Sequence, residues 1–104
     1  MSTRKLRPVH PGEVLRLDFL EPLGISAYRL AQETGISAQH LGRIVHGTRG
    51  VRADTALRLA RFFGTSAQLW MSLQARYDLD LAEDEAGREI AKRVKPLDRS
   101  GRAA

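Results

Sequence analysis

The sequence predicts an all-α domain of five short helices, with room for a sixth. Three observations lead there. Apolar residues recur at i, i+3, i+4 and i+7, as in Ala56, Leu59, Ala60 and Phe63. No stretch alternates apolar and polar residues in the way that marks a half-buried strand. Between the periodic segments stand glycines closely followed by serines: Gly24 and Ser26, Gly35 and Ser37, Gly64 and Ser66. Glycine ends a helix readily because it accepts the left-handed conformation, and serine starts one because its hydroxyl accepts a free backbone N–H. Helices are expected near 11–21, 26–34, 37–46, 53–63 and 66–77, with the sixth over 82–94. At 104 residues the chain suffices for one compact domain with a modest core. Three regions are expected: a basic arm over 1–9, a helical domain over 10–82, and a C-terminal helix and tail over 83–104.

The arm carries Arg4, Lys5 and Arg7 and is read either as a phosphate- or groove-contacting segment or as a solvated tail. His10-Pro11-Gly12-Glu13 opens the first helix. Proline suits a first helical position, where its missing N–H is no loss, and Glu13 suits the positive end of the helix dipole. Val14, Leu15, Leu17, Phe19 and Leu20 form its apolar side, and Pro22 to Gly24 stop it. Ser26 caps a second helix whose inner face is Leu30, Ala31 and Thr34. Gly35 makes a tight turn, Ile36 points back into the core, and Ser37 caps a third helix. There Leu41, Ile44 and Val45 share one side, Ala38, Gln39, Arg43 and His46 the other, and Gly47 ends it.

Two short helices joined at a turn glycine make a helix-turn-helix, or else an αα-hairpin that merely packs. In the first reading Ser37, Ala38, Gln39, Arg43 and His46 face a major groove. The loop Thr48-Arg49-Gly50-Val51-Arg52 leaves the end of that helix where a phosphate would lie, making Thr48, Arg49 and Arg52 backbone contacts, with Gln32 and Tyr28 as weaker candidates. Farther on, Asp54 to Gly64 is a helix with Arg58 and Arg61 facing out. Ser66 caps a fifth helix with Leu69, Trp70, Leu73 and Tyr77. An acidic turn, Asp78, Asp80, Glu83, Asp84 and Glu85, precedes the apolar line Ala86, Ile90 and Val94.

Seventeen Lys and Arg against twelve Asp and Glu give a net charge of +5, which favours an anionic partner. The chain has no cysteine, so disulfides and thiolate metal sites are excluded and a reducing cytoplasm is the simplest setting. No apolar run reaches the ~18 residues of a membrane span, and no apolar segment follows the basic N-terminus as in a signal peptide. No enzyme, metal or cofactor is expected. His10, His40 and His46 form no metal-ligand pair, the serines are explained as caps, and GTRGV lacks the length and the lysine of a phosphate loop.

Taken in order, HPGEVL, the LA…TGIS turn, ADTALRLARFFGTS and LWMSLQ resemble the HigA-type antitoxins, a branch of the phage-repressor-like helix-turn-helix proteins. The likeness covers roughly residues 9 to 82; the arm and the segment after Glu83 depart from it. The resemblance implies a five-helix, lambda-repressor-like fold and a homodimer on operator DNA. It also implies repression of the protein's own operon and neutralisation of a HigB-like, mRNA-cleaving toxin. Trp70, Leu73, Tyr77, Ile90 and Val94 are the candidate dimer surface, with Trp70 equally readable as core, and the acidic stretch is the candidate toxin surface or a solvated one. The alternatives are a plain phage-type repressor without a toxin, or a protein-interaction module that no longer reads DNA.

Overall fold

The computed structural model describes residues 7–99. Among these every regular element is helical. The first helix, α1, is continuous but changes pitch: Pro11–Val14 is α-helical, Leu15–Leu20 is π-helical, and Glu21–Leu23 closes it. Then come α2 (Ala27–Thr34), α3 (Ala38–Val45), α4 (Ala53–Phe63) and α5 (Ala67–Arg93). Serines at 26, 37 and 66 each accept the backbone N–H three residues on, at 3.0 Å. Gly24, Gly35, Gly47 and Gly64 have positive φ, which a side chain would strain.

The π segment explains an apolar pattern that an α-helix does not. Leu15 and Leu20 are both buried although five residues apart, while Leu17 is exposed. At the wider π pitch residues five apart share a face. The Glu21 N–H reaches the Arg16 carbonyl accordingly. Pro22 sits inside the last turn, and the stop expected over Pro22 to Gly24 falls at Gly24. A proline ring crowds the carbonyl four residues back in a regular α-helix, and the widened turn relieves that at Asp18. The helix ends two residues later, at Gly24, with φ 66°.

The core joins all five helices through Leu15, Leu20, Leu30, Ile36, Leu41, Ile44, Val51, Leu59 and Trp70. Trp70 is fully buried, its indole N–H donates to Thr65 Oγ1 at 2.9 Å, and Phe19 and Phe63 pack near it. It is therefore interior, not dimer surface: on an amphipathic helix the apolar stripe meets the protein's own core first. The expected sixth helix is not separate. α5 runs unbroken across 82/83, because Asp78 to Glu85 contains neither proline nor glycine and its residues tolerate a helix. The acidic stretch is thus helix surface and not a turn. The 27 residues of α5 make a rod about 40 Å long, and among the described residues Trp70 is the last buried one.

α1 meets the end of α3 at one crowded point. A Cβ on Gly12 would overlap the Ile44 carbonyl oxygen outright. Beside it His10 caps α1, its Nδ1 accepting the Gly12 N–H at 2.9 Å. The His10 ring also lies under Gly47 and meets Tyr77 edge-on at 4.9 Å. Burial pushes the His10 pKa below its ordinary value, outweighing the Arg49 backbone and the charges of Asp78 and Glu13. A neutral ring fits this geometry, with Nδ1 accepting the Gly12 N–H.

Gly12→Ala should destabilise the fold by at least ~2 kcal/mol, since both clashing partners are backbone; urea unfolding measures it, and an unchanged midpoint would refute the crowding. A second expectation concerns acid. The unfolded imidazole takes its proton near 6.5, and the folded one only at lower pH. Between these values the unfolded chain binds more protons, so stability is full above ~6.5 and falls as pH drops toward the folded pKa. His40 is shifted in the same direction, so the comparison must be internal. His10→Asn keeps a capping acceptor and should lose less melting temperature between pH 7.5 and 5.5 than the unaltered chain does. Equal losses would assign the effect elsewhere.

Candidate nucleic-acid interface

α2 and α3 form the helix-turn-helix. Leu30 and Ala31 are buried on α2, Ile36 in the turn, and Leu41 and Ile44 on α3. The turn is fixed from two sides. Thr34 Oγ1 donates to the Leu30 carbonyl at 2.6 Å and accepts the Ile36 N–H at 3.3 Å. Arg58 of α4 donates from Nη1 to the Thr34 carbonyl at 2.8 Å while its Nε holds Asp54 Oδ2 at 3.1 Å. Arg58 is exposed, as expected, and also closes the C-terminal end of α2.

With the inner side of α3 buried, its outer side is fixed by helical period. Ser37, Ala38, Gln39, Arg43 and His46 are all exposed, as expected. Gly42 lies on the same side, and a Cβ there would meet nothing within 4 Å. The His46 Nδ1 lies 2.8 Å from the Gly42 carbonyl. A carbonyl only accepts, so Nδ1 carries the proton and Nε2 faces outward. On α2 the Gln32 amide donates to Tyr28 Oη at 3.0 Å, placing these exposed residues side by side with the Tyr28 hydroxyl proton free to point outward.

After α3 the backbone turns through Gly47, and the Thr48 N–H and Oγ1 both bond the Arg43 carbonyl, at 2.9 and 3.2 Å. Thr48 thus spends both donors on closing α3, which weakens it as a phosphate donor. Arg49 and Arg52 are exposed, and with Arg43 they form no ion pair among the described residues. The three guanidiniums lie close enough to act together on His40. Burial pushes the His40 pKa down first, and the charges of Arg49, Arg43 and Arg52 push it further, against Asp54. The loop is also held from behind. Val51 is buried, and its N–H donates to Gln74 Oε1 of α5 at 2.7 Å. Gln74 and Arg58 left no mark in the sequence: each is a polar helix residue whose partner lies more than twenty positions away.

The remaining candidates divide. Arg7 of the arm is turned back onto Glu13, with Nη1 to Oε1 at 2.9 Å and Nη2 to Oε2 at 2.6 Å, which holds that carboxyl below its usual range. Arg4 and Lys5 lie outside the described residues. Of the dimer candidates, Leu73 packs against the core and Tyr77 faces His10, whereas Ile90 and Val94 are exposed. In the acidic stretch Asp78 accepts from Gln74 and Asp80 from Arg76, and Glu83 to Glu85 are exposed.

Known proteins share this architecture. A helix-turn-helix family model matches residues 18–70. Virulence-associated protein I of Dichelobacter nodosus is 48% identical over 77 residues, 74% of this chain and 71% of its own. Antitoxin HigA-1 of Vibrio cholerae is 37% identical over 98 residues, 93% of this chain and 90% of its own. The antitoxin HigA of Pseudomonas aeruginosa, solved with the higBA promoter, is 46% identical with a TM-score of 0.85, covering 88% of this chain and 99% of that one. Sharing sequence, helix order and fold with these proteins along most of its length, the chain belongs to the HigA family of helix-turn-helix proteins.

Proposed function

We propose that this chain is a sequence-specific DNA-binding antitoxin: it represses its own operon and neutralises a HigB-like, mRNA-cleaving toxin by direct contact. It is a binding protein and not an enzyme, and the reducing cytoplasm is where it works. One observation carries the reading. An exposed polar helix face is continuous with Arg43, Arg49 and Arg52, whose charges no carboxylate neutralises among the described residues. Such a face suits a polyanion, and short side chains let the helix enter a major groove.

In this reading α3 reads bases. Gln39 offers a bidentate contact to adenine, Arg43 one to guanine O6 and N7, and Ala38 admits a thymine methyl. Arg49 and Arg52 hold phosphates, with Gln32 and Tyr28 beside them on α2. Residues 10–82 make the DNA-binding unit. Two copies bind inverted half-sites about 34 Å apart, joined through the exposed Ile90 and Val94 side of α5, which leaves the acidic stretch at Asp78 to Glu85 for the basic toxin.

Arg43→Ala should cost about 1–3 kcal/mol on the operator and much less on random DNA. Arg49→Ala should weaken both alike and flatten the log–log salt dependence by about 0.9. Gly42→Ala separates folding from binding. Alanine should stabilise α3 by roughly 0.8–1.0 kcal/mol, there being open space for its methyl, yet weaken operator binding by crowding the groove. Gel shifts on the chain's own upstream DNA, with thermal melts, measure all three; tighter binding by Gly42→Ala would count against groove entry. For the toxin, co-expression with the product of the adjacent gene should restore growth and yield a co-purifying complex. Neither outcome would leave a repressor without a toxin.

A further inference from the structure

The loop from Gly47 to Arg52 carries the proposed phosphate contacts, yet no regular element contains it. Its backbone is held by two side chains from distant parts of the chain. The His10 ring packs under Gly47 on one side. On the other, Gln74 Oε1 accepts the Val51 N–H at 2.7 Å, and the Gln74 amide lies flat against Gly50, where a Cβ would come within 3.0 Å of it. The same amide donates from Nε2 to Asp78 Oδ1 at 2.9 Å, one turn farther along α5. The amide orientation is fixed by chemistry: the Val51 N–H only donates, and an ionised carboxylate only accepts. Asp78 therefore holds Gln74 in the one orientation that suits the loop.

We propose that Gln74 is a positioning residue for DNA binding, setting the Arg49–Arg52 loop from behind the interface, and that Asp78 sets Gln74. Gln74 does not touch DNA. It lies behind the loop, bonded to backbone. Its contribution is to hold the short, glycine-bearing segment that carries two guanidiniums in one conformation. Without it the Val51 N–H loses its partner beneath the loop, and the arginines sample positions that no longer meet phosphates together. Asp78 thereby leaves the list of residues whose purpose is solvation or partner charge alone, because its carboxylate fixes which end of the amide faces Val51.

The proposal rests on the DNA-binding reading, and four variants of the full chain test it against the upstream DNA. Gln74→Leu should weaken operator binding by about tenfold, the loss of one hydrogen bond to a part-buried N–H. Its salt dependence should flatten toward that of Arg49→Ala. In an Arg49→Ala background the same substitution should change affinity little, since the loop's main contact is already gone. Gln74→Glu sets two carboxylates against each other and should also bind more weakly. Gln74→Glu with Asp78→Asn reverses the donor and acceptor between those side chains: the introduced carboxylate accepts from both the Val51 N–H and the introduced amide. That double variant should recover binding to within about twofold of the unaltered chain. Recovery by exchange of roles is something a merely bulky or helix-stabilising residue would not produce, and it keeps the test open if Gln74→Leu melts too low to assay. Unchanged affinity and salt slope in Gln74→Leu would overturn the positioning role, as would a double variant no better than Gln74→Glu. If the unaltered chain ignores its upstream DNA, the DNA-binding reading fails first, which is a different result.

Discussion

The backbone of Gly12 runs against the carbonyl of Ile44 with no room for a methyl group between them, and much of the molecule is arranged around that approach. It brings the start of α1 onto the last turn of α3. That places His10 under Gly47, beside the Arg49 backbone and against Tyr77 of α5. The end of the recognition helix, the loop beyond it and the long C-terminal helix are thereby tied through one residue pair at the N-terminus. Close packing transmits small displacements because interiors have few voids to absorb them. The pitch of α3 relative to the rest of the domain is accordingly set by a contact that itself faces no partner.

Around this point the forces are unequal. The core of leucine, isoleucine, alanine and one tryptophan supplies the cohesion. The ion pairs of Arg29 with Glu33, Arg76 with Asp80 and Arg93 with Glu89 lie on exposed helix surfaces, where such pairs contribute little. Their effect is on charge distribution. They neutralise arginines on α2 and α5, while Arg43, Arg49 and Arg52 keep their charge on the side where α3 is exposed. A modest net charge thus becomes a local positive face.

The fold was legible where local rules decide it. Gly35, Ser37 and the Leu41–Ile44 spacing marked the turn and both faces of α3, and Pro11 with Glu13 marked the start of α1. Helical period told which residues are apolar together but not what they pack on, so Trp70 was open to two readings until its burial assigned it to the core. The π segment was invisible because Val14, Leu15, Leu17, Phe19 and Leu20 are all apolar, so the sequence did not show which of them share the buried face. The continuity of α5 was missed because a change from apolar to acidic composition looks like a boundary, although the backbone needs a breaker and none is present. In the site, the outward residues of α3 followed from period alone. Thr48, Gln74 and Arg58 did not, since their roles depend on carbonyls and N–H groups that become neighbours only after folding.

The length of α5 beyond Trp70 has a consequence of its own. Up to that residue the helix is welded to the domain, whereas from Ala82 onward nothing on it is buried among the described residues. An isolated helix of a dozen or so residues is marginal in water, so the free energy of opening must fall steadily along a single rod, from the global value at Trp70 toward zero at Arg93. Opening at that end exposes backbone that a protease needs extended. The free end of the rod is therefore the part of α5 that opens most easily, and anything packed along it would hold it closed.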